Sequence, residues 1–256
     1  MSDSPIRSWL DRDGAVLRLR LARPKANVID RAMMAALREA LAAQAGGQGL
    51  KAVVLDHEGP HFSFGASIQE HMPDQLESML TELHRLLRAI LEYPVPVLMV
   101  VRGQCLGGGL ELAGAGNLIF AATDAFFGQP EIQLAGFAPA ASCILPERVG
   151  QARAEELLLS GRAISAADAL RFGLVQDVSE DPEAAALAWV DTHLLPKSAI
   201  ALRIALKGSH QVFARRVVER FAVVEKICME ELLPTHDMAE GMSAFLEKRQ
   251  PAWRDC

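Results

Sequence analysis

The sequence predicts an α/β chain with largely parallel strands, extended at its C-terminal end by helices. Three observations predict this. Up to about residue 180, short apolar or alternating runs interleave with helix-period stretches and glycine-rich connections. From Glu183 onward helical spacing dominates, with Pro196 and Pro234 as punctuation and no convincing strand between. At 256 residues, half of them apolar, the chain can build one large core with an appended segment. We place the boundary between residues 1–195 and residues 196–256.

The elements follow in order. Ala15 to Leu21 alternates apolar and polar side chains, as a half-buried strand does. Asp30 is placed to cap a helix running to about Ala43. The stretch from Ala45 to Gly49 breaks that helix, and Ala52 to Leu55 is a short buried strand. A turn containing FSFGAS leads to a helix from near Pro73 to Leu91. Val97 to Val101 is the next strand and empties into GQCLGGGLELAGAG. The glycine-rich half of that segment reads as loop, the later half as helix. Leu118 to Ala121 returns as strand. Glu183–His193, Ser198–Ser209, Val212–Leu232 and His236–Lys248 all carry helical spacing. These last helices are too few to form a core alone, so they must cover the main core or a neighbouring subunit.

Composition narrows the function. Aromatic residues make up only 5% of the chain, so aliphatic side chains fill the core. The formal net charge of -6 argues against a surface that coats nucleic acid. The N-terminus lacks a secretory pattern, and the apolar run Val95–Val101 is too short to span a bilayer, so no membrane partner is expected. Cys105, Cys143, Cys228 and Cys256 are widely spaced, which suggests reduced thiols in the cytoplasm rather than a metal site or a disulfide framework.

Three segments can carry chemistry. In Gly103–Glu111 (GQCLGGGLE), three consecutive glycines follow a strand and allow close backbone approach. A helix starting there would offer free N–H groups to a developing negative charge, with Glu111 in its first turn. Neither the P-loop nor the GxGxxG pattern fits, and a tight turn explains the glycines equally well. Phe62–Ile68 (FSFGASI) is a second glycine-containing turn, which alone reads as an ordinary connection. In GQPE, Pro130 stiffens the chain before Glu131, as a fixed carboxylate requires and as the first turn of a surface helix also shows.

Taken together, FSFGASI, CLGGGLE and GQPEI resemble the crotonase (enoyl-CoA hydratase/isomerase) superfamily in order and spacing. The likeness extends from RPKA (Arg23–Ala26) through SGRAISAADALRFGLV to EGMSAFLEKRQPAW, nearly the whole chain. It implies a crotonase-like spiral of ββα units whose C-terminal helices make trimers, or hexamers of paired trimers. It also implies an acyl-CoA substrate, so that coenzyme A enters as part of the substrate and no cofactor is permanently bound. The positions matching the family's oxyanion hole are Ala66 and Gly108. Backbone N–H donors there would stabilise an enolate oxygen, each lowering the barrier by roughly 3–4 kcal/mol. Both family glutamates are present, as Glu111 and Glu131. Paired carboxyl groups with separated pKa values suit water addition, one taking a proton from water and the other supplying one to carbon. For the coenzyme A moiety the matching positions are Lys25, Ala26, Phe64, Ala66, Ile68, Phe245 and Lys248, the last two often reaching a neighbouring subunit in the family.

Three departures from the family pattern stand out. Ser67 replaces an aspartate, Gln69 replaces a lysine, and Ala135–Gly150 replaces a glycine-rich string that lines the acyl pocket. The altered segments resemble the subgroup of the superfamily that hydrates cyclohexa-1,5-diene-1-carbonyl-CoA in anaerobic benzoyl-CoA degradation. Two alternatives share much of the pattern: a general enoyl-CoA hydratase of fatty-acid or amino-acid breakdown, and a crotonase-fold protein that only binds.

Overall fold

The computed structural model describes residues 4–72 and 74–256. Its strands, among the described residues, form two sheets. The first is assembled from β1 (Ile6–Asp11), β2 (Val16–Leu21), β3 (Ala52–His57), β4 (Val97–Val101), β6 (Leu118–Ala122) and β9 (Asp177–Ser179), side by side in that order. Only the β1–β2 pair is antiparallel; every other neighbour is parallel. The second sheet joins β5 (Gln104–Leu106), β7 (Phe126–Gly128) and β8 (Ala163–Ser165).

Between the strands run α1 (Arg31–Gln44), α2 (Leu76–Leu91), α3 (Gly108–Ala115), α4 (Pro139–Val149), α5 (Gln151–Ser160), α6 (Ala166–Phe172) and α7 (Pro182–His193). Asp30 caps α1 by accepting the Met33 N–H, the role its position predicts. The expected start of α2 near Pro73 falls on a residue outside those described, and the helix is formed from Leu76. The parallel strands are buried on both faces. One face (Leu17, Leu19, Val53, Leu55, Met99) joins the main core with α1 and α2. The other (Val16, Ala52, Val54, Leu98, Val100) packs on Ala186 and Val190 of α7.

The polar side of β2 is not solvated as its alternation suggests. Arg18 is buried, 3% exposed, because Asp56 of β3 accepts its guanidinium at 2.5 Å and Glu183 of α7 does so too. A buried cation persists only when paired in this way.

The C-terminal part is α8 (Ala199–Lys226), a π turn (Ile227–Leu232) and α9 (His236–Glu247). Where the spacing suggests two helices meeting near Ser209, a single helix runs through, because nothing between Ser209 and Val212 forces a break. Its Ala214, Val217, Phe221 and Val224 join the main core against α4 and α2.

Candidate active site

The small sheet explains how distant motifs meet. β5 leaves β4 through Gly103, whose φ of +55° and tight approach to the Pro60 carbonyl (2.2 Å from an ideal Cβ) require glycine. Leu106 then pairs with Gly128 of β7, and the Gly107 N–H donates to the Gly128 carbonyl at 2.9 Å. That register sets the start of α3, with Glu111, beside the 3-10 turn Pro130–Leu134, which carries Glu131. On the other side, the Leu106 N–H donates to Ser63 O at 3.0 Å, tying the FSFGAS turn to the same strand.

The glycine run is therefore not simply a loop. Gln104–Leu106 is strand, and the helix begins within the glycines at Gly108. The reason is local: Gly107, at φ +51°, turns the chain, and its carbonyl accepts the Leu110 and Glu111 N–H groups. Gly108, as the first helical residue, keeps an N–H without an intrahelical acceptor. Across from it, Gly65 at φ +107° presents Ala66. A Cβ on Gly108 would lie 3.0 Å from the Ala66 nitrogen, so the two amides sit side by side. Ser63 fixes the turn by donating to Asn27 O at 2.8 Å and accepting the Gly65 N–H at 3.0 Å. Asn27 is itself buried, and its amide donates to the Glu58 and His61 carbonyls.

Glu111 is 4% exposed and accepts the Ala141 N–H, near the start of α4, at 2.8 Å. Burial pushes its carboxyl up, against the opposing pull of backbone N–H groups at Ala141 and Ala140. Glu131 is pushed up as well, first by burial and then by the Glu111 charge. Its Oε1 hangs over Gly107, only 2.7 Å from where a Cβ would stand. Gln129 is 1% exposed, and with its amide turned so that the nitrogen faces the carboxyl group it donates to both Glu131 oxygens, at 3.0 and 3.1 Å. Sequence reasoning passed over Gln129, although it lies two residues before Glu131 in the same motif.

Both glutamates, Ala66 and Gly108 line one cavity of about 520 Å³. Most of its wall is apolar: Leu76, Met79, Leu80 and Leu83 from α2, Phe137 and Pro139 at the start of α4, Cys228 and Leu232 from the π turn. Phe64 and Phe245, 47% and 49% exposed, stand at its open side, with Met238 and Met242 of α9 also on the wall. Phe245 thus reaches the cavity of its own chain. Of the altered segment Ala135–Gly150, Gly136, Phe137 and Pro139 line the cavity. Lys25, Ala26 and Lys248 do not line this cavity; Ala26 O accepts the Phe64 N–H at 2.9 Å, and Lys248 ends α9 at φ +54°. The backbone of Ile68 opens a 3-10 turn, and its side chain lies outside the described residues. Among the described residues no cluster of His, Cys, Asp and Glu could hold a metal ion. None of the helices described is long and apolar enough to cross a membrane.

A pair of carboxyl groups converging on an apolar cavity beside two backbone N–H donors can move protons while an oxyanion is held. The chain is similar to known proteins over nearly its whole length. Residues 11–256 match the enoyl-CoA hydratase/isomerase family. A cyclohexa-1,5-dienecarbonyl-CoA hydratase from Thauera aromatica is 57% identical, over 99% of this chain and 98% of that protein. An enoyl-CoA hydratase structure from Mycobacterium avium superposes with a TM-score of 0.84 at 28% identity, covering 97% of this chain and 98% of that one. An enoyl-CoA hydratase/isomerase structure from Pseudoalteromonas atlantica T6c gives 0.84 at 26%, covering 97% and 99%.

Proposed function

The chain belongs to the enoyl-CoA hydratase/isomerase family, and from that premise we propose that it hydrates cyclohexa-1,5-diene-1-carbonyl-CoA to 6-hydroxycyclohex-1-ene-1-carbonyl-CoA. The observation that carries the hydratase chemistry is the convergence of Glu111 and Glu131 beside the Ala66 and Gly108 amides. The ring-shaped substrate is supported by the likeness to the Thauera aromatica protein.

In this reading one carboxylate takes a proton from water as the oxygen bonds to the β carbon. The π electrons move onto the thioester oxygen, and the Ala66 and Gly108 N–H groups hold the resulting dienolate. The other carboxyl group returns a proton at the far end of the conjugated system. The carbonyl re-forms and one ring double bond remains, so water has added across the diene. Two carboxyl groups buried in one apolar cavity resist ionising together, so they lose their protons in separate steps and between those steps the pair holds one proton. That state supplies a base and an acid at once.

Phe64 and Phe245 at the open side are the side chains we assign to the coenzyme A moiety, with Lys25, Ala26, Ile68 and Lys248 following from the family resemblance. We also propose a trimer, or a hexamer of two paired trimers, working in the cytoplasm. The apolar side chains left exposed on α8, Ile200 and Ile204 at 65% each, support an oligomer. A monomer in sedimentation at micromolar concentration refutes it. The functional test is a panel of acyl-CoA thioesters with product identification. The cyclic dienoyl-CoA should have the higher kcat/KM, and a preference for crotonyl-CoA would make the protein a general enoyl-CoA hydratase instead.

A further inference from the structure

The side chains that line the cavity differ in exposure. Phe64 and Phe245 are each nearly half exposed. Other lining side chains are fully buried: Met79, Leu80 and Leu83 of α2 are 0–3% exposed, and Cys228 is 3% exposed. Cys228 lies in the π turn that interrupts the helical course after Lys226. π turns are rare, and those that occur are frequently at functional sites. Here the turn contributes both Cys228 and Leu232 to the cavity wall.

The turn is also anchored. Glu225, just before it, meets His84 of α2 at 2.5 Å, and His84 stacks on Phe221 one turn earlier, ring centroids 4.2 Å apart and nearly parallel. His84 directly follows Leu83, so the clamp holds α8 against a helix that also lines the cavity.

We propose that this π turn is the acyl-specificity element of the cavity: Cys228 and Leu232, which line it together with Leu83, restrict the acyl group to a compact ring. The inference rests on the reading that the cavity holds an acyl thioester. Burial pushes Cys228 up to about 11, so it stays a neutral thiol at pH 7 and not a nucleophile.

The test measures kcat/KM for the cyclic dienoyl-CoA, crotonyl-CoA and trans-2-octenoyl-CoA in the full-length protein. The Cys228→Ala/Leu232→Ala double variant should raise the octenoyl-to-crotonyl ratio by about tenfold or more, the discrimination that one or more methylenes give in an apolar pocket. Cys228→Phe should lower turnover of the cyclic substrate by about tenfold while changing crotonyl-CoA turnover by less than about threefold. A milder variant, Leu232→Val, with circular dichroism and coenzyme A binding as controls, reports on the same ratio should the double variant fold poorly. An unchanged ratio in variants that fold and bind coenzyme A overturns the proposal. Failure of the substrate reading looks different: the wild-type protein would then prefer crotonyl-CoA, whatever the variants do to chain length.

Discussion

Glu111 pays for its position in stability, and the amount can be worked out. Its carboxyl group is buried, with protein contacts at the Ala141 and Ala140 N–H groups, and burial lifts it from the ordinary value of 4.5 to about 7. A raised carboxyl pKa means that the folded protein holds the proton more tightly than the unfolded chain. Stability from this group is therefore fully present below about 4.5 and is lost as pH rises through about 7. At about 1.4 kcal/mol per unit, the full loss is on the order of 3 kcal/mol. Glu111→Gln removes that loss. The amide keeps the side-chain volume, and its oxygen still accepts the Ala141 N–H, while its new NH2 group lacks a partner and costs about 1 kcal/mol. The variant should gain on the order of 2 kcal/mol at pH 9, a Tm rise of about 4–8 °C, and almost nothing at pH 5. Its kcat should fall by about 10²–10⁴-fold, as the loss of an acid or base demands. Thermal melts at the two pH values, with kinetics on the cyclic dienoyl-CoA, check both halves. A Tm change equal at pH 5 and pH 9, or a variant less stable at pH 9, refutes the burial argument. Wild-type turnover refutes the catalytic one.

Two further outcomes follow from neighbouring contacts. Gln129→Leu removes the amide that donates to both Glu131 oxygens, a bond to a charged group being about 1.5–3 kcal/mol. The Glu131 carboxyl, already raised to about 8, should rise by about one to two units more and carry the basic limb of the kcat–pH profile with it; a stationary limb means that the amide does not face the carboxylate. Gly241→Ala tests whether α9 braces the catalytic turn, because a Cβ there would stand 2.2 Å from the Leu134 carbonyl. The helix must move off the turn that carries Glu131, and kcat should fall by about tenfold; a rise in KM alone would show that α9 only covers bound substrate.

What was legible in the sequence was whatever depends on short-range spacing. Asp30 ahead of an apolar-periodic run, the unbroken Val97–Val101, and glycines at a strand end each announce their backbone state without knowledge of partners. The two glutamates were legible for a different reason: several motifs in order resembled one family, and no single motif would have sufficed. What stayed hidden depends on pairing across the chain. The three-residue strands β5, β7 and β8 are too short to show a period, yet the Leu106–Gly128 pairing is what brings Glu111 and Glu131 together. Gln129 carries no signal of its own in the sequence, because its partner, Glu131, sits on a turn whose direction only the fold sets. The π turn has no sequence signature at all, since Ile227–Leu232 carries ordinary helical residues. The contrast has a physical source. Hydrophobic period and capping are properties of a segment, whereas an apolar cavity belongs to all the elements that enclose it. The same logic separates chemistry from substrate choice here: the carboxyl pair and the amides lie on segments whose motifs are local. The wall that decides what they act on is shared among α2, α4 and the π turn, so a change in any one of these can alter the acyl group accepted while leaving Glu111 and Glu131 in place.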